Sequence, residues 1–312
     1  MSKEILLAFD IGGTQVKYGV VTKEGEILEK GAIDTSHSGD EIVANIVKIK
    51  NQLAKQYPLH GASFSMPGFV DVNSGYLETA GAIYDFYGLN FRDLMLEKLG
   101  LPVELDNDVN CVAMAEKWLG NGKGIDNFLC FTIGTGIGGA VVINNQIVRG
   151  HNFRAGEFGF TLANNPFKAE RKGNGLSDTA SIYGGLRKKL VRRKPELNFD
   201  ETSGKDVYRL AENGNKDAQQ VIEAFYQSIA IGIYNLTFAL NPQKVLLGGA
   251  ISAREEIYPE ITKALQYILE REAPQFKVQV SDFVTLESTA FNNDSGIIGA
   301  AHHFFMMAET RK

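Results

Sequence analysis

The sequence predicts an α/β protein of two similar halves with a cleft between them, and three observations predict it. A Gly/Thr-rich hairpin occurs twice, apolar strands alternate with amphipathic helices, and the chain is long enough for two cores. The clearest copy of the hairpin is Phe128 to Val142, FLCFTIGTGIGGAVV. Its Gly134, Gly136 and Gly139 have the spacing of a dinucleotide-binding fingerprint, which requires a helix after the last glycine. Gly139 is instead succeeded by Ala140, Val141, Val142 and Ile143, an Asn144-Asn145 pair, then Gln146, Ile147 and Val148, a run that reads as strand, turn, strand. The three glycines are therefore expected in a bend between antiparallel strands, where converging backbone amides form a nest for anionic oxygens. Ile5 to Val21, ILLAFDIGGTQVKYGVV, repeats the object. Aligning Phe9 to Thr14 with Phe131 to Gly136 implies an internal duplication about 120 residues apart, far longer than a solenoid period. Two such hairpins facing each other would grip a polyphosphate from both sides.

Between and beyond the hairpins, Asp40 to Ala54 sets Ile42, Val43, Ile46, Ile49 and Leu53 at helical spacing. Gly61 to Ser65 reads as a short strand ending at Met66-Pro67-Gly68, followed by an extended piece near Phe69 to Val72 and a turn at Asn73-Ser74-Gly75. Phe91 to Leu99 is a helix stopped by Gly100 and Pro102. The strand Pro102 to Leu105 runs into Asp106-Asn107-Asp108, and Val109 to Leu119 reads as a helix starting directly after them. Carboxylates at a strand end that opens a helix sit where α/β sheets bind ligands, although one of the two is expected to serve as the helix cap. Gly150 to Gly159 is loop-like and holds Glu157, and Asn164 to Gly175 reads as an exposed excursion. A long helix, Asp217 to Leu240, halts at Asn241-Pro242, and the strand Val245 to Leu247 ends in Gly248-Gly249, a third glycine bend. Glu256 to Leu269 and Ser295 to Phe305 are the remaining helices, the last with small residues that permit close packing. The glycine-bearing stretch Leu119 to Asp126 suits a boundary between halves.

Composition narrows the classes. With 312 residues, 44% of them hydrophobic and 22% charged, the chain has the profile of an ordinary globular protein. A net charge of −5 argues against general affinity for nucleic acid or anionic membrane. The basic cluster Arg187, Lys188, Lys189, Arg192, Arg193 and Lys194 is interrupted by Leu190 and Val191 and reads as the solvated face of a helix. Cys111 and Cys130 lie in apolar strings and give no disulfide framework. The apolar part of MSKEILLAFD is too short for a signal peptide, and no run approaches the roughly 20 apolar residues of a membrane span, so a cytoplasmic protein is expected. His151, His302 and His303 receive no role.

Taken in order, DIGGT at Asp10 to Thr14, MPGFVD at Met66 to Asp71, the pair Asn107-Asp108, TIGTGIGGA at Thr132 to Ala140, GEFG at Gly156 to Gly159, LLGGA at Leu246 to Ala250 and NDSGIIGAA at Asn293 to Ala301 resemble the sugar kinases of the ROK (repressor, open reading frame, kinase) family over nearly the whole chain. The resemblance implies a two-lobed actin-like ATPase (ribonuclease H-like) fold with duplicated hairpin and sheet cores around a central cleft. Residues 1–119, joined by the C-terminal helix 295–310, would form the lobe on the sugar and phosphate side, and residues 120–294 the nucleotide lobe. ATP, Mg²⁺ and a sugar acceptor would bind there, with phosphate moved to the sugar's 6-hydroxyl. Asp108 would be the catalytic base, with Asn107, Gly68 and Glu157 holding the sugar, and Asp10 would organise Mg²⁺ through water. Gly12, Gly13 and Thr14, with Thr132, Gly134, Thr135 and Gly136, would bind phosphates, and Gly248-Gly249 would lie under the adenosine. A homodimer is the expectation by family analogy.

The chain also departs from the family. Phe160 stands at the position of a zinc-binding histidine, and Ala169, Arg171 and Leu176 stand at those of three zinc-binding cysteines, so no zinc is expected. Asp178 replaces a sugar-binding glutamate, and Ala82 falls near a sugar-binding asparagine. The end of the pocket that would grip O1 and O2 thus loses polar contacts and gains an aromatic face. Free glucose would leave hydroxyls unpaired at about 1–3 kcal/mol for each buried group. A β-glucoside such as cellobiose, with a second ring to stack, fits better. If Phe160 instead fills the volume left by the zinc, glucose or N-acetylmannosamine becomes the acceptor. A non-catalytic, sugar-sensing family member is the alternative class. Its DNA-binding form needs a helix-turn-helix ahead of the first hairpin, and a hairpin beginning at Ile5 leaves no space for one.

Overall fold

A computed structural model describes residues 4–167 and 173–310. Among them, residues 4–124, 147–155 and 293–310 make one compact unit, and residues 125–146, 156–167 and 173–292 a second.

In the first unit, β1 (Ile5–Ile11) and β2 (Gln15–Thr22) form the expected hairpin, registered from Ile5 against Thr22 to Ile11 against Val16. The chain continues through β3 (Ile27–Asp34), α1 (Gly39–Leu53) and β4 (Leu59–Met66). A small antiparallel sheet of β5 (Val70–Asp71), β6 (Tyr76–Leu77) and β7 (Leu89–Asn90) comes next, then α2 (Phe91–Leu99), β8 (Val103–Asn107) and α3 (Asp108–Leu119). Ser38 caps α1, which buries Ile42, Ile46, Ile49 and Leu53, three to four residues apart, against the sheet core. Gly100 ends α2 in the left-handed conformation at φ +62°. The main sheet runs β3-β2-β1-β4-β8, with β1, β4 and β8 parallel.

The second unit opens with β9 (Phe128–Ile133) and β10 (Ile137–Ile143), antiparallel with Ile133 opposite Ile137, and β11 (Gln146–Ile147) lies beyond the Asn144-Asn145 turn. A strand rather than a helix leaves Gly139, which removes the dinucleotide-binding alternative. One detail differs from expectation. Only Gly134 and Gly136 lie in the bend, whereas Gly139 sits within β10, where an added Cβ would come 2.1 Å from the Phe158 ring. Helices α4 (Leu176–Ala180), α5 (Lys189–Arg193), α6 (Gly204–Glu212) and α7 (Lys216–Leu240) precede β12 (Lys244–Gly248), α8 (Ile257–Glu272) and β13 (Thr285–Ser288). A π-helical stretch, Ile182–Lys188, joins α4 to α5. The sheet order, β11-β10-β9-β12-β13, repeats that of the first unit strand for strand.

The last helix, α9 (Ser295–Thr310), belongs to the first unit. It covers β1 with Ile297, Ala300, Ala301 and Phe304, and packs on α3 so closely that a Cβ on Gly299 would stand 1.7 Å from the Cys111 carbonyl oxygen. Both cysteines are buried and unlinked. Among the described residues no helix is long and apolar enough to cross a membrane.

Candidate active site

The residues singled out from the sequence fall into two groups, one in each unit, and all but Glu157, Phe160 and Asp178 lie at or just beyond the C-terminal ends of parallel strands, where α/β sheets bind ligands.

In the first unit the register sets Asp10 beside Ser65, Ser65 beside Asp106, and Met66 beside Asn107. Asp10 accepts a hydrogen bond from Ser65 Oγ at 2.7 Å and an ion pair from Lys17 Nζ at 3.2 Å. The first turn of α9 closes on the same carboxylate. A Cβ on Gly296 would lie 2.4 Å from Asp10 Cγ, so glycine is what admits the positive end of a helix there. The neighbouring bend is pinned by Gly12 N–H to Gln15 O at 2.9 Å, Thr35 N–H to Thr14 O at 2.9 Å and Thr35 Oγ1 to Gly12 O at 2.6 Å. Gly13 and Thr14 remain exposed beside it. No cluster of three or more metal-ligating side chains occurs among the described residues. Asp10 has acceptor capacity beyond its two partners, which fits Mg²⁺, an ion held by one or two carboxylates together with water and phosphate oxygens.

Neither Asp106 nor Asp108 is the cap of α3, contrary to the sequence-based expectation. Asn107 is the cap, its Oδ1 accepting from the amides of Val109 at 2.9 Å and Asn110 at 3.1 Å. Its Nδ2 donates to the Gly68 carbonyl at 3.0 Å and keeps a second proton for another acceptor. Gly68 is held at φ +91°, and an added Cβ would approach Thr79 O to 2.5 Å, so only glycine brings that carbonyl into place. Asp108 opens α3, half-buried, with the Val109 amide 2.9 Å from its Oδ1. Asp106 is 1% exposed and forms an ion pair with Arg149, whose Nε and Nη2 both donate to Oδ2, a partner that sequence reasoning missed. Arg149 lies forty-three positions away in a loop, with no periodicity to signal it.

In the second unit Gly134 N–H donates to Gly136 O at 2.9 Å, Ile182 N–H donates to Gly134 O at 2.9 Å, and Ile137 N–H donates to Ser177 Oγ at 3.0 Å. A Cβ on Gly134 would meet nothing within 4 Å, which leaves open space against the bend and the exposed Thr135. Thr132 is paired across the sheet with Gly248. Gly249 comes next at φ +86°, where an added Cβ would clash with Ile133 O at 2.3 Å, so the third glycine bend folds against the second hairpin.

Glu157, Phe160 and Asp178 lie near one another in sequence but differ in setting. Phe158 is buried on Gly139, and Gly156, at φ +95°, packs on the Gly139 carbonyl; together they hold Glu157 half-buried. Burial pushes the Glu157 carboxyl above the usual range. Phe160 is 76% exposed and fills no void. Leu176 is buried, and backbone bonds run from Ala163 N–H to Asn174 O at 2.8 Å and from Leu176 N–H to Thr161 O at 2.9 Å. Ala169 and Arg171 lie outside the described residues. Asp178 is exposed and accepts from the Gly175 amide at 3.3 Å. The basic cluster is largely paired within the unit. Arg187 donates to the carbonyls of Phe199 and Thr202, Lys189 to Thr179 O, Arg193 to Gln220, and Lys194 pairs with Glu196.

Two units of one topology, each with a glycine bend at the end of its parallel strands, are the architecture of the ROK sugar kinases. Residues 6–305 match the ROK family model, and the chain belongs to the ROK family. The β-glucoside kinase of Listeria monocytogenes is 34% identical over 303 residues, spanning 96% of this chain and 97% of that protein. The β-glucoside kinase of Klebsiella pneumoniae is 30% identical over 304 residues, spanning 96% and 95%. A ROK family protein from Streptococcus pneumoniae, solved in complex with sucrose, matches with a TM-score of 0.84 at 27% identity, covering 98% of this chain and 99% of that one.

Proposed function

We propose that this carbohydrate kinase transfers the terminal phosphoryl group of ATP to the 6-hydroxyl of the non-reducing glucose of a β-glucoside such as cellobiose. The observation that carries the acceptor is Phe160, an aromatic face 76% exposed three residues from the half-buried Glu157, where a glucose-binding relative would present a histidine. An exposed ring suits stacking by a second sugar ring. The β-glucoside kinases that resemble the chain support the same choice.

In this reading Asp108 accepts the proton of the 6-hydroxyl as the new O6–P bond forms and the bond from phosphorus to the ADP oxygen breaks. The free Nδ2 proton of Asn107 orients a sugar hydroxyl, and Glu157 accepts from hydroxyls nearer C1. Backbone amides of Gly13 and Thr14, with those of Thr135 and Gly136, neutralise phosphate oxygens in bends that Gly12 and Gly134 close through their own amides, while Thr132 and Gly248-Gly249 bound the nucleotide. Mg²⁺ held through water by Asp10 supplies further charge neutralisation. By analogy with the family, the protein works as a cytoplasmic homodimer.

A panel of cellobiose, glucose and N-acetylmannosamine, with ADP release as the readout, tests the acceptor. Cellobiose should exceed glucose in kcat/KM by roughly tenfold or more, the effect of about 1.4 kcal/mol of unpaired hydroxyl. Strong turnover of glucose with none of cellobiose overturns the β-glucoside assignment. Asp108→Ala should lower kcat by about 10²–10⁴-fold on the preferred sugar and leave ATP binding near the native value, measured by titration calorimetry.

A further inference from the structure

We infer that Arg149 is a positioning residue for phosphoryl transfer, acting through the buried Asp106 carboxylate to fix the strand-to-helix corner that presents Asn107 and Asp108. The inference rests on the reading of Asp108 as the base.

Asp106 is the next-to-last residue of β8, directly before that corner, and its two oxygens do different things. Oδ1 accepts from the Asn107 amide at 2.7 Å and from Asn110 Nδ2 at 3.1 Å. It therefore braces the corner on both sides, at the backbone just before Asp108 and at the side chain two residues beyond it. Oδ2 accepts from Arg149 through Nε at 3.1 Å and through Nη2, and His303 Nδ1 lies 3.7 Å away. A carboxylate only 1% exposed is costly unless a cation and a full set of donors meet it, and two guanidinium donors converging on Oδ2, set against the two donors on Oδ1, hold it in a single orientation. Were the carboxylate free to rotate about its χ2 bond, the Oδ1 bonds that set the corner would go with it.

The cation is itself held in place. Arg149 belongs to residues 147–155, which pack in the first unit although the chain on either side of them belongs to the second. Phe153 packs against the first unit's core, and the Arg154 guanidinium lies 4.8 Å over the Phe69 ring and pairs with Glu78. The Ala155 amide closes the segment on Arg149 O at 3.1 Å. A second ion pair on β8 provides an internal control. Arg92 and Glu104, 13% and 4% exposed, meet at 2.9 Å, and Arg92 otherwise bonds the carbonyls of Val72 and Asn73 rather than the corner.

Arg149→Lys keeps the charge and removes the fork. Measured on the full chain with cellobiose, or with glucose if the panel selects it, this variant should lose roughly tenfold in kcat while KM for ATP and the thermal midpoint change little. Arg92→Lys should hold kcat within about twofold of native even where its midpoint falls, because the corner is untouched. If Arg149→Lys does not fold, Asp106→Asn replaces it: the amide keeps Oδ1 for the corner and offers no acceptor to the fork, so the same kcat loss is expected. A native kcat in the folded variant, or an equal loss in Arg92→Lys, overturns the inference. Asp108→Ala, measured in parallel, separates the two readings. If it stays active the base assignment fails and the inference with it, whereas inactive Asp108→Ala beside native-like Arg149→Lys refutes the positioning role alone.

Discussion

The carboxylate proposed to hold the sugar, Glu157, opposes folding over part of the pH range. Because burial raises its carboxyl, the folded chain holds that proton to higher pH than the unfolded chain does. Between the ordinary carboxylate value and the raised one, the folded state binds more protons, so stability falls as pH rises through that window. Glu157→Gln should therefore melt near the native temperature at pH about 4 and above it at pH about 7, while losing sugar affinity. An equal melting difference at both pH values, tracked by circular dichroism, would remove the burial argument. At this scale the sequence was legible where a motif reports chemistry and silent where a contact is remote. Asp10, Asn107 and Asp108 stand out by their place at strand ends, yet Asn107 proves to be the cap because a carboxamide offers Oδ1 to two amides and Nδ2 to Gly68 at once. Arg149 could not be read, since nothing local in a loop announces a partner on a distant strand.

Among the elements, α1, α2, α3 and α7 were read to within a residue, while α8 and α9 run three and five residues beyond the ends expected. The helix α2 spans Phe91–Leu99 as expected, and the hairpins arise from β-branched runs around turn residues. Two of the edge strands, β3 and β13, were missed. In β3, ILEKGAID, and β13, TLES, charged residues face solvent and no apolar run marks the strand, because an edge needs to bury little. The short helices α4 and α6 were not anticipated and are decided by packing on α7, whereas α5 falls within the basic run read as a helix face. The small residues of α9 were read as permitting close packing, and the contact of Gly299 with Cys111 O gives that a magnitude. Gly299→Ala must push α9 off α3 or distort its backbone, and should destabilise the protein by about 3 kcal/mol, read as a shift in the urea midpoint. A native midpoint would mean that the two helices separate freely.

At the scale of the whole molecule, the repeated hairpin was enough to anticipate two similar units, and the common strand order, β3-β2-β1-β4-β8 against β11-β10-β9-β12-β13, makes the duplication complete. What the repeat could not convey is that the two units are not equally continuous. The second takes its sheet and helices from one stretch interrupted only by residues 147–155, while the first draws on three separate stretches and receives α9 from the far end. Translation is directional. A ribosome has released β1 through β8 long before it reaches Ile297, Ala300 and Phe304, so the apolar side of β1 waits uncovered through most of synthesis while the later-made unit already has its own core residues in hand. The half that is begun first is finished last, and chaperones that shield exposed strands would have their longest task at the start of this chain rather than at its end.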